Sequence, residues 1–217
     1  MGRTRPHSTY ENALVGVAVI AGPLCVLVLG ITAPAASAAS DPEGTIYVAD
    51  YGASAIDVFA PGASGDVAPL RQITGPSTGL SGPGDVAVDA AGDLYVVNFN
   101  NNTITEYAPG ASGDAAPTRT ITDSDASQND DDMALAPDGT IYVGNYGGGY
   151  INVYAPGASG SATPVRRVTG LGGIDGVGVD SSGTLYAADW NGSTISAFAP
   201  GANGNATPIR TIAGANR

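Results

Sequence analysis

Short runs of alternating apolar and polar residues, separated by Gly-containing turns, recur along most of the chain. Asp85–Asp89 alternates, Ala90–Gly92 has the composition of a turn, and Leu94–Val97 is a second apolar run. Ile104–Tyr107 alternates with the period of two that is typical of a half-buried strand, and Pro117–Ile121 is a fourth such segment. The pattern predicts four short strands in each stretch of roughly 45 residues, with no helix between them.

The same unit occurs four times. The tetrad Ala-Pro-Gly-Ala begins at Ala60, Ala108, Ala155 and Ala199, with spacings of 48, 47 and 44 residues. A tyrosine, an isoleucine, a second aromatic residue and an arginine keep the same register in every copy: Tyr47, Tyr95, Tyr142 and Tyr186; Ile56, Ile104, Ile151 and Ile195; Phe59, Tyr107, Tyr154 and Phe198; Arg71, Arg119, Arg166 and Arg210. This periodicity predicts repeats at about 41–83, 84–130, 131–174 and 175–217. The first copy lacks the segment for an inner strand, so the expected count is 15 strands.

Two copies carry the pattern most fully. Asp85–Asn98 carries V-A-V-D-x-x-G-x-[LI]-Y-V-x-[ND], which is followed by I-x-x-[FY] and then by R-x-[IV]. Gly176–Asp189 carries the same pattern, with Gly178 in place of its Ala and Ala187 in place of the Val after Tyr. This pattern resembles the NHL repeat and the related YVTN-type repeats of exported bacterial propellers. The resemblance implies an all-β fold, a β-propeller built from four blade-like repeats of about 45 residues. NHL propellers usually have more blades, so a closed ring and an open arc both stay open as alternatives at this point.

The N-terminus has the three parts of a secretory signal peptide. Arg3 and Arg5 provide a basic start, Ala13–Ile31 contains no charged residue, and small residues follow at Ala36–Ala39. We therefore expect a signal peptide at residues 1–39, cleaved near Ala38 or Ala39, and a secreted domain at residues 40–217. The alternative is an uncleaved N-terminal membrane anchor, because the apolar run is nearly long enough to span a bilayer.

The composition excludes several classes of function. The chain has 20 acidic and 8 basic residues, a net charge of −12, which argues against nucleic acids and anionic membranes as partners. Its one cysteine (Cys25) and one histidine (His7) lie in the predicted signal peptide, and it contains no lysine. The secreted domain therefore cannot build a nucleophile–histidine pair or a zinc site from the usual ligands. By the resemblance, related propeller lyases depend on histidine, so we favour a protein that is not an enzyme.

A polar residue followed by an aromatic residue comes after the second strand of every copy. These candidate ligand-binding residues are Asp50 and Tyr51, Asn98 and Phe99, Asn145 and Tyr146, and Asp189 and Trp190. The resemblance implies that their loops lie on the face where propellers usually bind ligands. Aromatic rings beside hydrogen-bonding groups suit a protein, peptide or glycan ligand. The alternative interpretation is that the polar residue caps a turn and the ring packs against the next blade.

The link between the second and third copies is rich in aspartate. Oxygen ligands of this kind suit Ca²⁺, and the candidate ligands are Asp123, Asp125, Asp130, Asp131 and Asp132. The segment departs from the EF-hand pattern, because Gln128 replaces the expected glycine. A solvated acidic loop is the alternative. The cation site would support an alternative function, a divalent-cation-dependent lyase or lactonase-type hydrolase.

Two further expectations concern contacts. The four arginines in register are expected to be structural cations that pair with carboxylates or carbonyls. Open blade edges would allow a homodimer, because an unpaired edge strand can pair with another chain. Taken together, the sequence predicts a secreted, non-catalytic propeller that binds a protein, peptide or glycan and has no membrane contact after signal cleavage.

Overall fold

The computed structural model describes residues 41–123 and 130–214, without the side chains of Asp130 and Asp131. This part of the chain contains 15 strands and no helix. They are β1 (Ile46–Asp50), β2 (Ala55–Phe59), β3 (Arg71–Ile73), β4 (Pro83–Val88), β5 (Leu94–Asn98), β6 (Thr103–Tyr107), β7 (Arg119–Thr122), β8 (Asp130–Leu135), β9 (Ile141–Asn145), β10 (Tyr150–Tyr154), β11 (Arg166–Val168), β12 (Ile174–Val179), β13 (Leu185–Asp189), β14 (Thr194–Phe198) and β15 (Arg210–Ala213).

The strands form four antiparallel sheets in which chain neighbours pair. We call them blade 1 (β1–β3), blade 2 (β4–β7), blade 3 (β8–β11) and blade 4 (β12–β15). The predicted all-β blade architecture is therefore confirmed, as is the prediction that the first copy has three strands in the described part of the chain. The fourth strand of blade 2 begins at Arg119, two residues later than the sequence suggested, because Pro117 has no N–H to donate to a strand ladder.

Blades 2 and 3 each bury one face against the blade before and the other against the blade after. We define the forward face by the repeat positions of Tyr95, Ile104 and Ile121, and the backward face by those of Ile141, Val143 and Tyr154. These six side chains of blades 2 and 3 belong to one buried cluster. The clusters between blades 1 and 2 and between blades 3 and 4 use the same repeat positions. The hydrophobic core is therefore a series of layers between blades, because a single sheet cannot bury its own two faces.

Backbone hydrogen bonds repeat at every junction between blades. The last strand of a blade forms a parallel β-bridge with the second glycine of the loop that contains the Ala-Pro-Gly-Ala tetrad in the next blade. The three bridges are Ile73↔Gly113, Ile121↔Gly160 and Val168↔Gly204. At the first junction the Gly113 N–H donates to the Gln72 carbonyl at 2.7 Å, and the Thr74 N–H donates to the Gly113 carbonyl at 2.9 Å. These pairs fix the register of neighbouring blades independently of their side chains.

Two of the register arginines form hydrogen bonds across the same junctions. Arg71 Nε donates to the Ala111 carbonyl of blade 2 at 2.9 Å, and Arg166 Nη1 donates to the Ala202 carbonyl of blade 4 at 3.1 Å. Arg71 also forms a salt bridge with Asp41, and Arg119 forms one with Glu106. The expectation that these arginines pair with carboxylates or carbonyls is confirmed for Arg71, Arg119 and Arg166.

The blades are arranged in chain order. Strand contacts join blade 1 to blade 2, blade 2 to blade 3 and blade 3 to blade 4, and among the described residues no extensive strand contact joins blade 4 to blade 1. The predicted signal peptide lies outside the described residues. Within the described ranges, no helix has the length and apolar character needed to cross a membrane.

Candidate functional site

The predicted ligand-binding loops lie at the end of the blades where the chain passes from one blade to the next. In blade 2 the Phe99 N–H donates to the Gly82 carbonyl at 3.0 Å, and Gly82 lies in the link between blades 1 and 2. In blade 4 the Trp190 N–H donates to the Gly173 carbonyl at 2.8 Å in the same way. We call this surface the connector end. It contains the loops β1–β2, β5–β6, β9–β10 and β13–β14.

The polar member of each pair organises its own loop. Asp50 Oδ1 accepts a hydrogen bond from the Ala53 N–H at 2.9 Å, and Asn145 Oδ1 accepts one from the Gly148 N–H at 2.5 Å. Asp189 accepts from the Gly192 N–H and from the Gly172 N–H, both at 2.7 Å. Local bonds of this kind, from a side-chain oxygen to a backbone N–H a few residues on, are typical of turn and capping residues. Their oxygens shape the loop, as the capping interpretation of the sequence pattern proposed.

Asn98 is the most enclosed of the four polar residues. It is fully buried, its Oδ1 accepts a hydrogen bond from the Ser81 N–H at 3.0 Å, and its Nδ2 donates to Thr105 Oγ1 at 3.1 Å. A buried amide must be paired because an unpaired one loses its hydration without compensation. Asn98 therefore ties the link between blades 1 and 2 to the sheet of blade 2.

All four loops end in a residue with positive φ. The residues are Ser54 (φ 49°), Asn102 (51°), Gly149 (61°) and Ser193 (51°). Left-handed backbone is costly for residues other than glycine, so its recurrence at one repeat position shows that the loop shape itself is strongly determined. The four loops thus present their aromatic residues in equivalent positions.

Three of the four aromatic side chains reach solvent. Tyr51 is 52% exposed, Tyr146 39% and Trp190 64%, whereas Phe99 is half-buried. Tyr51 leans across the junction to blade 2, where its ring meets the edge of Phe99 with a centroid distance of 6.0 Å. The structure therefore joins the candidate aromatic residues of blades 1 and 2 into one surface.

Sequence reasoning missed two asparagines and two glycines at this end. Tyr51 Oη donates to Asn100 Oδ1 at 3.0 Å, and a Cβ at Gly82 would lie only 2.8 Å from the Tyr51 ring. Between blades 3 and 4, the Tyr146 ring and Asn191 Nδ2 lie 3.1 and 3.2 Å from where a Cβ at Gly173 would stand. The signal was in the register, since Asn100 and Asn191 stand at the same position of their copies.

The acidic residues are placed less completely. Asp123 is buried and accepts a hydrogen bond from Asn152 Nδ2 at 2.7 Å. Asp132 accepts a hydrogen bond from the Val177 N–H of blade 4, and its repeat equivalent Asp85 accepts one from the Met133 N–H of blade 3 at 3.1 Å. Both carboxylates thereby brace the inner strand of the following blade.

The remaining candidates of the calcium site fall outside what the structure describes. Asp125 lies in the undescribed segment, and nothing is described of the side chains of Asp130 and Asp131. Among the described residues no group of three or more acidic, histidine or cysteine side chains is arranged to hold a metal ion. Calcium binding by this segment stays a prediction.

Several described groups have shifted pKa values, and the largest shifts are at two tyrosines and one aspartate of the repeat. Burial raises the pKa of Tyr95 to about 12 and that of Tyr107 to about 12. Tyr107 Oη donates to the Thr78 carbonyl at 2.6 Å and so closes the first junction. Hydrogen bonds from the Ser182 side chain and from the Thr184 N–H lower the pKa of Asp180 to about 2.

Comparison with known proteins bears on the repeat and the fold. Residues 80–107 match the family model of the NHL repeat. No curated protein sequence matches the chain.

Solved structures resemble the chain at low identity. A Polycomb Repressive Complex 2 structure from Chaetomium thermophilum (a humanized mutant bound to the inhibitor GSK126) has a TM-score of 0.57 and 13% identity over 73% of this chain. Hydrazine synthase from Kuenenia stuttgartiensis has a TM-score of 0.52 and 18% identity over 66% of this chain. The WD40 β-propeller domain of Doa1 has a TM-score of 0.44 and 15% identity over 55%.

The chain spans only 36% to 39% of the length of these three chains. At such identities the likeness concerns the fold alone. The matched segment, 80–107, runs from the link before blade 2 to the end of β6 and includes Asn98 and Phe99. The recognised sequence pattern and the stacked four-stranded sheets agree: the chain is a β-propeller-type repeat protein that carries an NHL repeat at residues 80–107.

Proposed function

We propose that this protein is an exported, non-catalytic interaction module that binds a protein or peptide segment at its connector end. The observation that carries the proposal is the Tyr51–Phe99 contact, which makes one partly exposed aromatic surface from two predicted loops. Tyr146 and Trp190 extend the same pattern on blades 3 and 4, where they stand at the same repeat position.

The chemistry of this end suits recognition of a polypeptide. Tyrosine and tryptophan offer large contact area with few rotatable bonds, and they are enriched in binding surfaces for that reason. The loops that carry the rings are held by side-chain-to-backbone hydrogen bonds and by buried Asn98. Binding would therefore cost little conformational entropy in these loops. The net charge of −12 favours a partner segment with basic residues.

Secretion is part of the proposal and rests on the N-terminal pattern of Arg3, Arg5 and the uncharged stretch Ala13–Ile31. Mass spectrometry of the protein recovered from the culture medium of a secreting host tests it. Recovery of a chain that begins near residue 39 or 40 supports export with cleavage. A chain found only in the membrane fraction with its N-terminus intact contradicts it.

The binding proposal is tested with peptide and glycan arrays, followed by titration of the best ligand. We expect peptide binding that is weakened at least about tenfold by Tyr51→Ala and by Tyr146→Ala, because each removes a ring from the surface. Val165→Ala is the matched control, since Val165 is a large apolar residue, 59% exposed, away from the connector end.

Three results would contradict the proposal. They are binding that survives both aromatic substitutions, an equal loss with Val165→Ala, and exclusive binding of glycans. The last would keep the surface but replace the class of ligand.

A further inference from the structure

Blade 4 exposes the face that the other blades bury. Its forward face carries Ile195 and Ile212, which are 48% and 63% exposed. The equivalent residues of blade 3, Ile151 and Val168, are fully buried against blade 4. The apolar positions of the repeat are thus retained at the end of the series, although no described part of the chain covers them.

Blade 1 exposes the opposite face, the backward one. Its backward face carries Ile46 and Val48, which are 40% and 41% exposed. The equivalent residues of blade 3, Ile141 and Val143, are fully buried against blade 2. The two exposed faces are therefore the two different halves of the interface that the chain uses at each of its three internal junctions.

Blade 1 has a groove at the repeat position that the internal junctions use. An open groove on blade 1 is lined by Ile46, Phe59 and the loop from Ala63 to Val67. At the internal junctions, the apolar residue of the last strand pairs with the glycine of the equivalent loop, as Ile73 does with Gly113. Ile212 is the corresponding residue of blade 4, and Gly65 is the corresponding glycine of the groove.

Polar groups on both faces repeat the internal junction as well. Thr211 and Ala213 of β15 stand where Gln72 and Thr74 stand, so their C=O and N–H are placed to pair with the backbone of Gly65. Arg210 is exposed and stands where Arg71 and Arg166 stand, and those arginines donate to carbonyls equivalent to that of Ala63. The two faces therefore match in the positions of their hydrogen-bond donors and acceptors as well as in their apolar residues.

We propose that a second copy of this chain docks its blade 1 onto blade 4 of the first, through the sheet faces. The occupant is a second copy because each face lacks the partner that the other supplies. The contact continues the geometry that the outer three strands of each blade have at the three internal junctions. The inner strand, which takes part there through Met133 and Ile174, has no counterpart in blade 1. The two faces differ, so the contact is head-to-tail and successive copies form a ring or a chain. This differs from pairing through open strand edges, and it is independent of the connector-end aromatic residues Tyr51 and Tyr146.

The test uses the protein as its host processes it, in sedimentation velocity over a range of concentrations. We expect the unaltered protein to form oligomers. Ile212→Asp should weaken association on the order of 100-fold by placing a charge on the forward face, and Val48→Asp should do the same on the backward face. Val165→Asp is the control, because Val165 is equally exposed but lies on neither face, and it should associate normally.

A mixture of the two variants makes the test decisive. The Ile212→Asp chain keeps an intact backward face and the Val48→Asp chain keeps an intact forward face, so the mixture should form a dimer with one contact and nothing larger. Circular dichroism and thermal melting establish that each variant is folded. Three results overturn the proposal: a monomeric unaltered protein at every concentration, association lost in only one variant, or a mixture that stays monomeric.

Discussion

Blades 3 and 4 are built from nearly the same pattern, but the structure treats them differently. In blade 3 all three residues of the outermost strand, β11, are partly or fully buried, and Val168 is fully buried because blade 4 covers it. In blade 4 all four residues of β15 are exposed, because no described part of the chain follows. The comparison shows that the repeat encodes a sheet with two apolar faces, and that each face is buried only where a neighbouring blade covers it.

The sharpest test of this difference substitutes the same residue in both blades. Ile151→Ala should lower the free energy of unfolding by about 2–5 kcal/mol, because it opens a cavity at a fully buried site. Ile195→Ala should cost under about 1 kcal/mol, because its side chain is already 48% exposed. Urea unfolding followed by circular dichroism, at a dilution where the chain is monomeric, gives both values. Equal costs would show that Ile195 is buried by something in the undescribed part of the chain.

The arginines give a second, smaller contrast. Arg166 donates to the Ala202 carbonyl and lies over the Tyr142 ring at 5.9 Å, so Arg166→Ala should cost about 1 kcal/mol. Arg210→Ala should leave unfolding of the dilute monomer unchanged within about 0.5 kcal/mol, because Arg210 is exposed on a blade without a described successor. The same urea titrations measure this pair. A loss at Arg210 equal to that at Arg166 would contradict the proposed difference between internal and terminal junctions.

The third and smallest expected effect is the pH dependence of stability that comes from hydrogen bonds to Asp180 within blade 4. Asp180 takes its hydrogen bonds from Ser182, Thr184 and Tyr186 of the same blade, and the pKa of its carboxyl is lowered to about 2. A lowered pKa in the folded state means that the carboxylate stabilises the fold fully above about pH 4. That contribution is lost as the pH falls from about 4 towards about 2.

Melting temperatures between pH 5 and pH 2 check this expectation. Asp180→Ala should melt lower than the unaltered protein at pH 5, and the gap should narrow as the pH approaches 2. Glu43→Gln is the control, because Glu43 is an exposed carboxylate outside blade 4. A gap that stays constant across this range would mean that the charge of Asp180 contributes nothing to stability.

The sequence predicted many residues of the candidate site, but not all of the contacts that they make. The repeat predicts that Tyr51 and Phe99 are equivalent, because they occupy the same position of their copies, and one interpretation of the pattern was that such a ring packs against the next blade. The roles of Gly82 and Gly173 were not predicted, since only the three-dimensional approach of a tyrosine ring from the preceding blade forbids a side chain there. The sequence pattern placed Asp132 in an acidic cluster. In the structure, Asp132 and its repeat equivalent Asp85 each accept a hydrogen bond from a backbone N–H in the inner strand of the following blade.

The sequence by itself determined the unit and the number of its copies. Alternating apolar positions and turn residues at fixed spacing specify strands and hairpins locally, and four copies in register specify four sheets. Only the tertiary structure decided which face of each sheet meets which neighbour, because that depends on contacts between residues far apart in the chain, such as Ile73 and Gly113. It also decided that equivalent isoleucines are buried in one blade and exposed in the last. A local pattern specifies which side chains are apolar, and only the assembled neighbours remove them from water.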